Sequence, residues 1–135
     1  MNEALYQQAI MDLAKDEAHA GQLDGPDATA TLDNPLCGDR VTIDVKLSEG
    51  KTVSEIAHSV KGCLLCKASA TLMSRQAQGA NRQDVENLKM SLEKLLSGHV
   101  EPGGEISVFT LVRAHKSRHD CLRLPIDTLL EALKA

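Results

Sequence analysis

The sequence predicts an α+β fold, in which a small antiparallel sheet of about three strands carries helices packed on one face. One segment has the strict apolar alternation of a half-buried strand. Much of the remaining chain has apolar residues at spacings of three and four, which predicts amphipathic helices. The chain has 135 residues, a length at which a domain buries about two thirds of its unfolded surface. We therefore expect residues 1–135 to form one domain that needs no metal merely to fold.

The first half of the chain predicts a helix followed by the sheet. Residues 3–18 carry an apolar face at helical spacing, and glycines follow them. Apolar residues alternate strictly over residues 41–47, and residues 48–51 then have the composition of a turn. Residues 53–60 are the expected hairpin partner. Threonine-rich alternation over residues 28–32 suggests a third strand, with a weaker pattern.

The second half of the chain predicts three helices. Residues 64–73 have a helical pattern, so Cys63 falls at or near a helix N-terminus, where the helix dipole favours a thiolate. Residues 85–96 form the clearest amphipathic helix of the chain. Pro125 suits the first turn of a final helix, which predicts that Cys121 precedes that helix by a few residues.

The composition excludes several classes of function. The formal net charge is -4, and the chain contains one tyrosine, one phenylalanine and no tryptophan. A basic groove and base-stacking aromatic residues are therefore missing, which argues against nucleic-acid binding and favours a protein partner. The N-terminus lacks a leader pattern, and no run of about 18 apolar residues occurs, so we expect no membrane association and a cytoplasmic location with reduced thiols.

Three cysteines in separate segments predict one metal or sulfur site. Cys37 lies in a turn that also contains proline, glycine and aspartate, Cys63 follows a glycine, and Cys121 ends a stretch rich in arginine and histidine. Asp39 would add a hard oxygen to the three soft thiolates, which gives the four donors that a tetrahedral ion such as zinc requires. Cys37 as a buried structural cysteine and Asp39 as a turn former or strand-edge cap remain open as alternatives.

Three further residues near these segments allow more than one interpretation. Cys66 forms a C-x-x-C pair with Cys63, but the two leucines between them favour a small buried side chain in a core-facing helix. As a fourth thiolate, Cys66 would instead close a purely structural zinc site. Arg118 belongs to the basic surroundings of Cys121 and is a candidate for the site, whereas a solvated basic face is the alternative for its neighbours. His119 is a further possible ligand.

Residues 34–40, the pair Gly62 and Cys63 followed by Ala68 and Ser69, and the spacing Arg118-x-x-Cys121 together resemble the NifU-like scaffold family of iron–sulfur cluster assembly, which includes IscU and SufU. The resemblance spans nearly the whole chain. The long segment before the third cysteine and the presence of the arginine are most similar to the SufU branch.

The resemblance implies both a function and a set of site residues. In the family these residues line an exposed site at one end of a small sheet, where a cysteine desulfurase delivers sulfur. By resemblance, Cys37, Asp39, Cys63 and Cys121 hold zinc or a transient iron–sulfur cluster, Cys37 accepts persulfide sulfur, and Arg118 stabilises the sulfur in transit. Recipient apoproteins or other assembly factors are the further expected partners. The role is either that of a scaffold or that of a zinc-dependent sulfur acceptor; the alternative is a zinc-stabilised interaction domain without sulfur transfer.

Overall fold

The structure is a computed structural model that describes residues 3–34, 38–98 and 104–134. Its principal elements, in chain order, are α1 (Glu3–Lys15), β1 (Ala28–Asn34), β2 (Asp39–Leu47), β3 (Val53–Lys61), α2 (Leu64–Ala77), α3 (Arg82–Ser97), a 3₁₀ segment (Glu105–Ala114) and α4 (His119–Ala132). Short 3₁₀ turns cover Glu49–Lys51 in the β2–β3 hairpin and Lys116–Arg118 before α4. None of the helices in these ranges combines the length and apolarity that crossing a membrane requires.

The three strands form one antiparallel sheet in the order β1-β2-β3, with β2 in the centre. Val41, Ile43 and Val45 are completely buried, because alternate residues of a strand share one face and this face is covered. The alternation over residues 41–47 therefore predicted the central strand correctly. The weaker threonine-rich pattern also proved to be a strand, with Ala30 opposite Ile43.

The helices cover one face of the sheet, as the sequence predicts for this α+β fold. Helix α4 packs against β1 and β2, and α2 packs against β3 and α4. Helix α1 then packs on α2, while α3 packs on α4 and on the 3₁₀ segment. The apolar faces of the helices and the buried face of the sheet thus share one core.

The start of the final helix differs from the prediction. Helix α4 begins at His119, so Cys121 lies in its first turn and Pro125 lies in its interior. A proline cannot donate the N–H that an interior helical residue normally provides, and its ring crowds the preceding turn. In that turn the Ser69 hydroxyl of α2 donates a hydrogen bond of 2.7 Å to the carbonyl of Leu122. This hydrogen bond joins the turn before the proline to α2, and the residues around the proline are buried in the core.

The 3₁₀ segment is an element that the sequence analysis did not predict. Its buried side chains are Ile106, Phe109 and Val112, which are spaced by three residues. A 3₁₀ helix has three residues per turn, so this spacing places all of them in one row. Phe109 is only 1% exposed, and burial of a side chain of this size contributes about 1.5–3 kcal/mol. The spacing of three was the signal for this element.

His58 lies on the covered face of β3, opposite Ile43 of β2. Its ring Nδ1 is 2.9 Å from the hydroxyl of Ser74 on α2, and the residue is 5% exposed. Burial lowers the pKa of His58 from its ordinary value of 6.5, because desolvation disfavours the charged imidazolium, and nearby His19 acts in the same direction. The fold therefore favours the neutral ring.

We predict that the metal-free protein loses stability as the pH falls below 6.5, because protons then bind more readily to His58 in the unfolded chain than in the folded one. Urea unfolding at pH 7.5 and at pH 5.5 measures this loss. His58→Asn, which retains a polar group near the position of Nδ1, should show a smaller loss than the wild type. His115→Asn, at an exposed position, serves as the control. An equal pH dependence of wild type and His58→Asn would contradict this role for His58.

Candidate metal centre

Asp39 is the first residue of β2 and shares the covered face with Val41, Ile43 and Val45. The alternation that builds the core thus directs this carboxylate toward the helices and leaves the side chain 3% exposed. Its Oδ1 accepts a hydrogen bond of 3.2 Å from the backbone N–H of Cys63. A buried carboxylate requires such a partner, since desolvation without one is costly.

Cys63 is the N-cap residue of α2 and lies between the end of β3 and the first helical turn. Its side chain is half-buried, and its Sγ is 3.9 Å from Oδ2 of Asp39. The first N–H groups of a helix have no partner within the helix, and the helix dipole favours negative charge at that end. The Asp39 carboxylate therefore serves as an acceptor at the start of α2.

Cys121 is buried in the first turn of α4, where contacts on both sides fix its position. Two residues before it, the Nε2–H of His119 donates to the carbonyls of Val112 and Arg113 at 3.1 Å and 3.0 Å. One residue after it, the carbonyl of Leu122 accepts from Ser69 on α2, as described above. These contacts connect the beginning of α4 to the 3₁₀ segment and to α2.

The three elements bring two sulfur atoms and one carboxylate together. Ligand atoms of Asp39, Cys63 and Cys121 all lie within 4.8 Å of one another. Zinc binds thiolate sulfur at about 2.3 Å and carboxylate oxygen at about 2.0–2.2 Å, so a small closing of these side chains brings all three atoms to one ion. The donor set therefore fits zinc, which accepts both kinds of ligand.

The sequence offered three other candidate ligands, Cys37, Cys66 and His119. The structure places two of them outside this group and does not describe the third. Cys37 lies outside the described residues. Cys66 is completely buried in the hydrophobic core, as expected for a small apolar side chain, and does not belong to the cluster of possible ligands. His119 is also outside that cluster, and its Nε2 is bonded to the two carbonyl groups.

Arg118 borders the site through a shared surface groove. It is exposed at the N-terminal end of α4. The groove is lined by Cys63, Leu64, Leu65, His115, Ser117 and Arg118. The groove thus places a guanidinium and the thiol of Cys63 on one surface, and a guanidinium binds anionic groups by charge-assisted hydrogen bonds.

The other arginines near the two ends of the site have structural partners. Arg40 is 2.6 Å from Asp33 across the β1–β2 pair, and the hydrogen bond and charge of that carboxylate raise the pKa of the guanidinium. Arg123 pairs with Glu93 at 2.8 Å and with Asp120 at 3.0 Å. The Asp120 carboxylate is thus directed to the outer surface of α4, not to the group formed by Asp39, Cys63 and Cys121.

We predict that Cys66→Ala retains the metal stoichiometry and affinity of the wild type, whereas Cys63→Ala lowers the affinity by about tenfold or more. The loss of a buried side chain in Cys66→Ala should lower the free energy of unfolding by about 1–2 kcal/mol. Zinc titration against a chromophoric chelator and urea unfolding measure the two quantities. A large loss of zinc affinity in Cys66→Ala would indicate that Cys66 is a ligand and would contradict the separation described above.

Comparisons with known proteins identify the family of this chain and agree with its fold. The chain matches the family model for the NifU-like N-terminal domain over residues 5–133. It is 31% identical to the iron–sulfur cluster assembly scaffold protein IscU of Streptococcus pyogenes serotype M1, with 96% of this chain and 83% of that protein aligned. It is 33% identical to the zinc-dependent sulfurtransferase SufU of Bacillus subtilis, over 70% of this chain and 60% of that protein.

A solved structure shows the same fold over nearly the full length. The NifU-like N-terminal protein from Brucella abortus superimposes with a TM-score of 0.85 at 30% sequence identity, and the alignment covers 98% of this chain and 94% of that one. The predicted family resemblance is therefore confirmed by both sequence and structure. The chain belongs to the NifU-like N-terminal domain family.

Proposed function

We propose that this protein works in iron–sulfur cluster assembly, where it binds metal and accepts sulfur at the site formed by Asp39, Cys63 and Cys121. The observation that carries the proposal is the convergence of these three side chains at the starts of β2, α2 and α4. Family membership supports it, since relatives carry the names of a cluster scaffold and of a zinc-dependent sulfurtransferase. We assign Cys37, two residues before Asp39 in the chain, as the fourth ligand.

The mixed donor set suits a site that must exchange its cargo. Bound zinc would stabilise the thiolate form of the cysteines, the form that reacts with sulfur. A nascent iron–sulfur cluster, as cargo, would be held by the same cysteines with one oxygen ligand from Asp39. Clusters are usually held by four thiolates, and an oxygen ligand in place of one thiolate would ease release to a recipient protein.

Sulfur transfer in this proposal is a thiol exchange that balances without an added oxidant or reductant. The thiolate of Cys37 attacks the terminal sulfur of a persulfide on the donor enzyme. The sulfur–sulfur bond of the donor breaks, its cysteine leaves as a thiolate, and a new persulfide remains on Cys37. Arg118 stabilises the anionic persulfide by a charge-assisted hydrogen bond, which its position in the groove beside Cys63 supports.

The proposal includes the partners and the setting. The donor is a cysteine desulfurase, and the recipients are apoproteins or other assembly factors. Residues 1–135 act as one domain in the cytoplasm. Of the two related roles, we favour the zinc-dependent sulfur acceptor over the scaffold, because an exposed arginine beside a site cysteine suits the binding of an anionic persulfide.

The test is to mix the zinc-loaded protein with a cysteine desulfurase and cysteine, and to map persulfide on each cysteine by mass spectrometry. We expect persulfide on Cys37. Arg118→Ala should bind zinc as the wild type does but lose about 10-fold or more of the persulfide, since removal of a charged partner costs about 1.5–3 kcal/mol. Lys116→Ala, which removes an exposed positive charge nearby, should behave as the wild type.

Two results would contradict the proposal. Absence of persulfide on every cysteine, with the desulfurase active, would indicate a structural zinc domain without sulfur transfer. Full persulfide formation in Arg118→Ala would leave sulfur acceptance in place and remove the assigned role of the arginine.

A further inference from the structure

The end of the β2–β3 strand pair contains a tight approach between Asp39 and Gly62. The last paired residues there are Arg40 and Lys61, so Asp39 and Gly62 are the next residues to face each other across the two strands. A Cβ atom placed on Gly62 would lie 2.5 Å from Oδ1, 2.8 Å from Cγ and 3.1 Å from Cβ of Asp39. The carboxylate of Asp39 thus occupies the space that any side chain at position 62 would need.

This approach is specific to Gly62 among the glycines whose surroundings the structure describes. A Cβ on Gly98 would make only an ordinary contact at 3.5 Å, and on the others it would meet no atom within 4 Å. Those other glycines have positive φ angles, whereas Gly62 does not. The backbone at position 62 therefore suits any residue, and the glycine serves to leave space, not to permit an unusual conformation.

The space has a direct consequence for the site. By lying across Gly62, the Asp39 carboxylate reaches the N–H of Cys63 with Oδ1 at 3.2 Å and approaches the Sγ with Oδ2 at 3.9 Å. Asp has only two side-chain torsions, and its Cβ is also within the tight range. Because Oδ1 and Cγ are both closer than 3.0 Å, the carboxylate has to move from this position in Gly62→Ala.

We propose that Gly62 is a positioning residue of the metal site: its missing side chain holds open the space in which the Asp39 carboxylate joins Cys63 and Cys121 around one ion. The inference rests on the metal-binding part of the proposed function. Gly62 touches no metal itself and acts only through Asp39.

The test compares Gly62→Ala, Asp39→Ala and the double variant with the wild type, using Co²⁺ and Zn²⁺ as probes. Competition with a chelator gives the affinity, and the visible absorption of bound Co²⁺ reports its coordination. We expect Gly62→Ala to lower the affinity by about 10- to 100-fold, the usual effect of residues that orient a ligand. Its Co²⁺ spectrum should change in the same way as that of Asp39→Ala.

The double variant provides the decisive comparison. If Gly62 acts through Asp39, then adding Gly62→Ala to Asp39→Ala should change neither affinity nor spectrum further. A double variant whose metal affinity falls by the product of the two single-variant factors would overturn the inference. Ser59→Ala, an exposed change on β3 three residues before Gly62, should bind both ions as the wild type does.

The same variants distinguish a folding defect from a loss of metal binding. Circular dichroism of the metal-free proteins shows whether Gly62→Ala folds. If Gly62→Ala does not fold, the double variant should fold, because Asp39→Ala removes the carboxylate that collides with the new side chain. An unfolded double variant beside a folded Asp39→Ala would overturn the inference. If Gly62→Ala binds metal as the wild type does and Asp39→Ala binds it more weakly, the role of Gly62 is overturned. If Asp39→Ala also binds metal as the wild type does, the assignment of Asp39 as a ligand is overturned as well.

Discussion

The hydrogen bond between the Asp39 carboxylate and the N–H of Cys63 connects the sheet to the helices at the site. Asp39 continues the buried alternation of β2, so the pattern that forms the core also carries a carboxylate into it. The carboxylate is tolerated there because the start of α2 offers an unpaired N–H and a favourable dipole. The carboxylate and the thiol of Cys63 are thereby fixed beside each other, and Cys121 completes the candidate site.

The position of Cys121 depends on a second set of contacts, which are hydrogen bonds from two polar side chains. His119 bonds to the carbonyls at the end of the 3₁₀ segment, and Ser69 bonds to Leu122 in the turn before Pro125. The beginning of α4 is thus fixed to two neighbouring elements. The site combines a strand end, a helix N-cap and a helix first turn, each fixed by buried hydrogen bonds, with an exposed groove that reaches Cys63.

The sequence predicted the sheet and the helices, because alternation and helical spacing are local patterns. The mixture of soft and hard donors indicated a candidate site, of which the structure brings Asp39, Cys63 and Cys121 together. The sequence analysis did not predict two features of the structure. The prediction that Pro125 lies in a first helical turn was wrong because tertiary packing overrides a local preference: Leu122, Leu124 and Ile126 around the proline are buried in the core. The sequence analysis did not predict the 3₁₀ segment, because 3₁₀ helices of ten residues are rare. Ile106, Phe109 and Val112 nevertheless have the spacing of three that is typical of such a helix.

The measurement that decides the nature of the site is X-ray absorption at the zinc edge of the zinc-loaded protein. The proposed ligand set, in which Cys37 joins Asp39, Cys63 and Cys121, predicts a four-coordinate shell of three sulfur atoms at about 2.3 Å and one oxygen at about 2.0–2.2 Å. A shell of four sulfur atoms without oxygen would contradict it, because the buried Cys66 would then have to leave the core to replace Asp39.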